Sequence, residues 1–285
     1  MATIAHLSDV HFGAHVPEIV EAAERWVIGR KPDLVIVSGD FTQRAREAQY
    51  RAAGAFMDRL ESAGLPTLAV PGNHDVPLYD VIRRFARPLA RYKRHIDDDL
   101  CPWFENDKLA VLGINTARSF TLKDGRINYE QMHIIRDSFR AVPPEKTRIL
   151  VTHHPLFAMP LGEEGALTKT VGRQQPALEA VADAGVHILL AGHFHRTFAE
   201  AARKMVENAG PALVIQAGTA TSTRIRADEV QSFNWLEVHR NTDVDLQVVA
   251  WNGTDFEGRD HARYAYDGQM WHRRSGAEAM AAGDK

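Results

Sequence analysis

The chain has little of three things, and each shortage excludes a class of protein. It has one cysteine, Cys101, so it can form no intrachain disulfide and no thiolate metal cluster, and a reducing compartment is expected. It has no excess of either charge. Against 37 Asp and Glu it sets 34 Lys and Arg, a formal net charge of −3, which gives no general attraction for nucleic acid or a membrane surface. It also has no apolar run long enough to cross a bilayer. The N-terminus, Met1-Ala2-Thr3-Ile4-Ala5-His6-Leu7-Ser8-Asp9, lacks a basic start followed by an apolar stretch and reads as a first strand rather than a signal peptide. A cytoplasmic protein is the expectation.

What is present suits one globular unit: 45% hydrophobic and 25% charged residues, with no internal repeat or low-complexity tract. A single domain is expected over residues 1–275, followed by a short flexible tail at 276–285. Short apolar runs alternate with helix-period segments, the pattern of an α/β fold. Strands are predicted over 3–8, 34–38, 67–70, 109–115, 148–152, 187–191 and 213–216, with helices over 16–30 and 44–63. An antiparallel pair is predicted over 233–239 and 246–251. Residues 77–102 interrupt the alternation with a helical, arginine-rich and aromatic insertion that includes Arg83, Arg84, Phe85, Arg87 and Arg91. It reads either as a cap or substrate wall, or as a surface helix with a basic face.

Most of the core strands end in polar tips. Asp9 and His11 are two apart and project from one side of an extended chain. Gly39-Asp40, Gly72-Asn73-His74-Asp75, Thr152-His153-His154-Pro155 and Gly192-His193-Phe194-His195 each follow a buried run. Any one of these tips is most simply a turn. Their joint occurrence is not, because open α/β sheets gather ligands beyond the carboxyl ends of their strands. Oxygen and imidazole donors without thiolate suit iron, manganese, zinc or cobalt.

Taken in order, these tips resemble the calcineurin-like metallophosphoesterase family, whose pattern is Asp-x-His, Gly-Asp, Gly-Asn-His-Asp/Glu, His and Gly-His-x-His. The match runs from Asp9 to His195 with every position filled. The resemblance implies a four-layer α/β/β/α sandwich, which the late strand pair would suit by closing a second sheet. It implies two divalent or mixed-valence transition-metal ions. Asp9, His11 and His195 would hold one, Asn73, His153 and His193 the other, and Asp40 would bridge them. His153 is preferred to His154 because the family's ligand stands two residues before the proline. A bridging hydroxide would then attack phosphorus in line. His74 is placed to protonate the leaving oxygen, and Asp75 either orients His74 or caps the turn.

His15 is a weaker candidate for a substrate contact. The other histidines outside the motifs, among them His6 and His187, read as satisfied or solvated side chains. The segment Gly218-Thr219 with Ser222, Thr223 and Arg224 resembles the loop after the last core strand in bacterial cyclic nucleotide phosphodiesterases, though a plain sheet-crossing loop fits it equally. The expected function is hydrolysis of a small-molecule phosphodiester, in the manner of class III cyclic nucleotide phosphodiesterases and glycerophosphodiesterases. A phosphomonoesterase, a lipid-precursor pyrophosphatase and a nuclease are the alternatives. The charge balance disfavours nucleic acid, and the intact ligand set disfavours a non-enzymatic scaffold. Selectivity is expected to reside in the loops 77–102 and 155–170, and a homo-oligomer is left open.

Overall fold

A computed structural model describes residues 1–121, 123–159, 168–206, 209–226 and 229–274. The expected tail at 276–285 and residues 160–167 of the 155–170 loop lie outside them. Two sheets stack face to face. The first contains β1 (Ala2–Leu7), β2 (Leu34–Ser38), β3 (Thr67–Val70), β10 (Ser232–Arg240), β11 (Asp243–Trp251), β12 (Phe256–Tyr266) and β13 (Trp271–Arg274), in the order β13-β12-β11-β10-β1-β2-β3. The second contains β4 (Trp103–Glu105), β5 (Leu109–Ile114), β6 (Thr147–Thr152), β7 (Ile188–Ala191), β8 (Phe198–Ala201) and β9 (Leu213–Gln216), in the order β4-β5-β6-β7-β9-β8.

Strand β2 shows why the sandwich forms. All five residues of Leu-Val-Ile-Val-Ser are buried, so neither face of the strand meets water. Leu34 and Ile36 face the inter-sheet core with Val70, Val111, Ile149 and Ile188. Val35 and Val37 face the opposite way, toward Trp26 of α1 (Pro17–Arg30) and Tyr50 and Phe56 of α2 (Glu47–Ser62). On the far side, α5 (Tyr129–Arg140) and α6 (Gln174–Asp183) pack Ile135, Phe139 and Val181 against Leu112, Leu150 and Leu189. The result is the helix/sheet/sheet/helix layering. The helix boundaries have local causes. Pro17 opens α1, Lys31 closes it in the left-handed region, and Asn128 and Gln131 form a reciprocal cap on α5.

One expectation changes. The late strand pair does not close the second sheet. It extends the first along β1, with Ala5 opposite Trp235, and β12 and β13 lengthen that sheet further. The cause is that Phe233 and Trp235 stack edge-on against Trp26 of α1, at 5.1 and 5.3 Å, so the outward face of β10 needs the cover of that helix. The 77–102 insertion holds two short helices, α3 (Val81–Ala86) and α4 (Ala90–His95), parted by Pro88. Within it Arg84 is buried and bonds the carbonyls of Pro77, Ser119 and Thr121, so it serves the fold rather than a substrate. Among the described residues no helix is long and apolar enough to cross a membrane.

Candidate metal centre

The strand tips converge because the backbone stays paired beyond the sheet. The amides of Asp9, His11 and Phe12 donate to the carbonyls of Gly39, Asp40 and Phe41 at 3.0, 2.9 and 2.8 Å. Two glycines make the crowding tolerable. Gly39 has φ +90°, and a Cβ there would lie 2.5 Å from His153 Nδ1; one at Gly192 would strike Ser8 Oγ and Asp9 Oδ2. Asp9, His11, Asp40, His193 and His195 all have φ between 49° and 82°, a region costly for non-glycine residues. Strained backbone that aims donor side chains at one point is expected of a functional site.

The donor atoms form two overlapping groups. In one, Asp9 Oδ1 lies 3.1 Å from His195 Nε2 and 3.6 Å from His11 Nε2, and those two nitrogens are 3.3 Å apart. In the other, His153 Nε2 lies 3.3 Å from both Asn73 Oδ1 and His193 Nδ1. Asp40 Oδ2 stands between them, 3.6 Å from His11 Nε2 and 3.4 Å from His153 Nε2. The remaining oxygens and nitrogens are tied back. Asp9 Oδ2 accepts from Ser8 Oγ at 2.6 Å and His193 N at 2.9 Å, and Asp40 Oδ1 accepts from His74 N at 2.8 Å. His153 Nδ1 donates to Ser38 O at 2.8 Å and His195 Nδ1 to Arg224 O at 2.6 Å, which leaves the Nε2 lone pairs directed inward. Among the described residues Asp9 Oδ1 is buried without a hydrogen-bond partner. A buried carboxylate oxygen among converging imidazole nitrogens is a good cation site once those nitrogens are free of protons, so these donors fit transition-metal ions.

The electrostatics agree. Burial alone would raise the carboxyl pKa of Asp9, but His195 and His11 outweigh it and hold the group well below the usual carboxylate range. Asp40 is likewise held down against burial, by His153 and His74. Burial would lower His153, yet the Asp40 carboxylate raises it to about 9. Burial and then His153 lower His193 to about 3. Burial would lower His195 too, yet Asp9 raises it. Without a cation, the cleft therefore draws protons onto the imidazoles that face its carboxylates.

The neighbouring candidates separate by their contacts. His154 is buried with Nδ1 2.7 Å from Thr116 Oγ1, and its ring lies 4.6 Å from that of His193. His74 donates from Nδ1 to Gln43 O at 2.8 Å and sets its ring edge-on to His11 at 4.9 Å. Asp75 accepts from Phe41 N, Thr42 N, Thr42 Oγ1 and Gly72 N at 2.9–3.1 Å. Those bonds cap the turn and join it to the Asp40 loop, and none reaches the His74 ring. His15 packs on Phe12, 4.7 Å between centroids, and bridges to Ser222. His6 bonds Ser38 Oγ at 2.9 Å, a satisfied core histidine, with burial lowering it to about 3. Sequence reasoning missed Ser8, Ser38, Gln43 and Thr116. Their roles depend on contacts with distant residues and leave no local signal.

Comparison with known proteins bears on this geometry. The sequence model described as calcineurin-like phosphoesterase matches residues 2–197. Among curated relatives, a Synechococcus protein named "Probable cyclic nucleotide phosphodiesterase" is 26% identical over 174 residues, which covers 59% of this chain and 60% of that protein. An Arcobacter nitrofigilis protein named "Probable glycerophosphodiester phosphodiesterase GpdQ" is 24% identical over 179 residues, 58% of each chain. The chain thus matches less than two thirds of these relatives' length. Among solved structures, a purple acid phosphatase from yellow lupin superposes with a TM-score of 0.71 at 13% identity, covering 98% of this chain and 55% of the other. A dimetal phosphatase from Danio rerio gives 0.63 at 12% identity, covering 93% and 99%. These two likenesses concern the fold. With the family match spanning more than half of its length, the chain belongs to the calcineurin-like phosphoesterase family.

Proposed function

We propose that this chain hydrolyses small-molecule phosphodiesters with two transition-metal ions. One observation carries the proposal: Asp40 Oδ2 stands between two groups of inward-facing donors, beside an Asp9 Oδ1 that has no hydrogen bond among the described residues. Asp9, His11 and His195 would hold one ion, Asn73, His153 and His193 the other, with Asp40 shared. Bound there, manganese, iron, zinc or cobalt would supply Lewis acidity that acidifies water and neutralises phosphoryl charge. Hydrogen bonds from Ser8 Oγ and His193 N to Asp9, and from the His153 and His195 imidazoles to the Ser38 and Arg224 carbonyls, fix the donors before the ions arrive. His74, anchored through Nδ1, would present Nε2 to the leaving oxygen and, once Nε2 has taken a proton from solvent, hand that proton on. Asp75 would position that turn.

The names of the two curated relatives support a diester over a monoester. The insertion supports a substrate wall in part. A cavity of about 400 Å³ lies between it and the loop after β5, lined by Leu89, Ala117 and Leu100 with Arg87, Lys93 and Arg118. An anionic ester with an apolar group suits such a lining. The single cysteine supports a cytoplasmic setting. The test is a panel of cyclic nucleotides, glycerophosphodiesters, aryl diesters and aryl monoesters with manganese-reconstituted protein. Turnover led by one of the diesters is expected; turnover confined to monoesters, or none, overturns the reading.

A further inference from the structure

One residue reaches both halves of the cleft. The Arg224 carbonyl accepts the Nδ1 proton of His195 at 2.6 Å, and its guanidinium Nη1 donates to His74 Nε2 at 3.1 Å. The loop that carries it is pinned to the Asp9–His11 segment. Thr219 Oγ1 donates to Asp9 O at 2.7 Å, Thr221 Oγ1 to Val10 O at 2.8 Å, and Thr223 N to Ala14 O at 2.8 Å. The backbone at this point is therefore fixed while the side chain is exposed.

An arginine only donates, so His74 Nε2 must accept, and the ring proton sits on Nδ1 where Gln43 O receives it. In that arrangement the nitrogen facing the cleft has no proton to give and is covered by a cation. The covering bond is between a charged donor and a neutral acceptor, open to water. A phosphodiester offers two anionic oxygens in the geometry a guanidinium fits best, and charge-assisted bonds of that kind are roughly twice as strong as neutral ones. Other arginines nearby are committed elsewhere: Arg44 to the hydroxyl and ring of Tyr79, and Arg226 to Phe194 O.

Resting on the metal-centre reading above, we propose that Arg224 is a substrate-binding residue. Its guanidinium leaves His74 Nε2 for a non-bridging phosphoryl oxygen of the incoming ester. That exchange uncovers Nε2, so substrate binding and exposure of that nitrogen are one event. Only hydrogen bonds change partners in it.

The experiment measures inorganic phosphate binding calorimetrically to manganese-loaded wild type, Arg224→Ala, Arg224→Lys and Arg44→Ala, with metal content determined on each sample. Arg224→Ala should keep its metal, because the backbone carbonyl and not the side chain holds His195. It should bind phosphate about 10–100-fold more weakly, the equivalent of one charge-assisted hydrogen bond or slightly more. Arg224→Lys should recover part of the loss, Arg44→Ala should match wild type, and KM for a diester should rise in step. Unchanged phosphate affinity in Arg224→Ala overturns the role of Arg224 alone. Metal loss in both Arg224 variants also overturns it, making the residue a scaffold for His195. Failure of manganese-loaded wild type to bind phosphate overturns the metal-centre reading, and the role of Arg224 with it.

Discussion

The two sheets bring different chemistry to the cleft. Among the proposed metal donors, loops leaving the first carry both carboxylates, the asparagine and a single imidazole: Asp9, Asp40, Asn73 and His11. Loops leaving the second carry imidazoles: His153, His193 and His195. Each proposed ion would take donors from both sheets, and neither sheet holds a balanced set. Asp40 keeps its proton off despite burial because His153 faces it from the other sheet, and His153 holds a proton because Asp40 faces it back. The cleft is thus an electrostatic seam that exists only once the sandwich is assembled. Metal occupancy and pH should both report on that assembly.

The sharpest way to break the seam is Asp40→Asn, which removes the one carboxylate placed between both donor groups. Tight dinuclear occupancy should be lost, and turnover should fall well beyond the roughly 10–100-fold typical of losing an outer-shell partner. Metal analysis alongside initial rates checks this.

Next in size is His74→Ala. A displaced nitrophenolate needs little protonation, whereas a sugar or glycerol alkoxide needs much. The variant should keep its metal and lose roughly 10²–10⁴-fold in kcat on an alkyl or cyclic diester, the usual range for a positioned acid, and far less on a nitrophenyl ester. Equal losses on both substrates would move His74 from the leaving oxygen to the phosphoryl group.

Within the second sheet, His153 and His154 separate a donor from its neighbour. His153 Nε2 lies within 3.4 Å of Asp40, Asn73 and His193, while Nδ1 of His154 is taken up by Thr116. His153→Ala should weaken one ion, and His154→Ala should keep both and alter rate or substrate preference. The reverse ranking in metal titrations would exchange their roles.

The smallest effect is on metal-free stability against pH. His153 is raised from 6.5 to about 9, so the stability it contributes is fully present below 6.5 and lost as pH rises through 9. His6 and His193 are lowered to about 3 and His187 to about 4, so theirs is present above 6.5 and lost as pH falls toward those values. The metal-free melting temperature should therefore peak near neutrality and decline on both sides. In metal-loaded protein the alkaline decline should disappear, because a ligand imidazole must be neutral. Calorimetry with and without chelator decides this.

Sequence patterning revealed the parts of the fold that local periodicity controls. Strands 34–38, 67–70 and 213–216 coincide with β2, β3 and β9, and the polar tips after β1, β2, β3, β6 and β7 do meet. Features set by distant partners were hidden. The sheet that β10 joins depends on Trp26, far away in sequence, and Asp75 faces backbone amides of Phe41 and Thr42 that no local pattern reveals. Arg84 resembled any surface arginine of the insertion until Ser119 and Thr121 folded against it. Arg224 stood in a loop marked only as polar, and its carbonyl bond to His195 depends on the register of that loop against Asp9 and Val10.

The seam itself is most directly tested by counting ions. Chelated wild type, His195→Ala and Asn73→Ala would be dialysed to equilibrium against manganese or zinc and analysed for metal per chain. Two ions in wild type and one in each variant are expected, with the vacated position differing between the variants when crystals are examined by anomalous scattering. One ion in wild type, or two retained in both variants, would contradict the shared two-sheet centre.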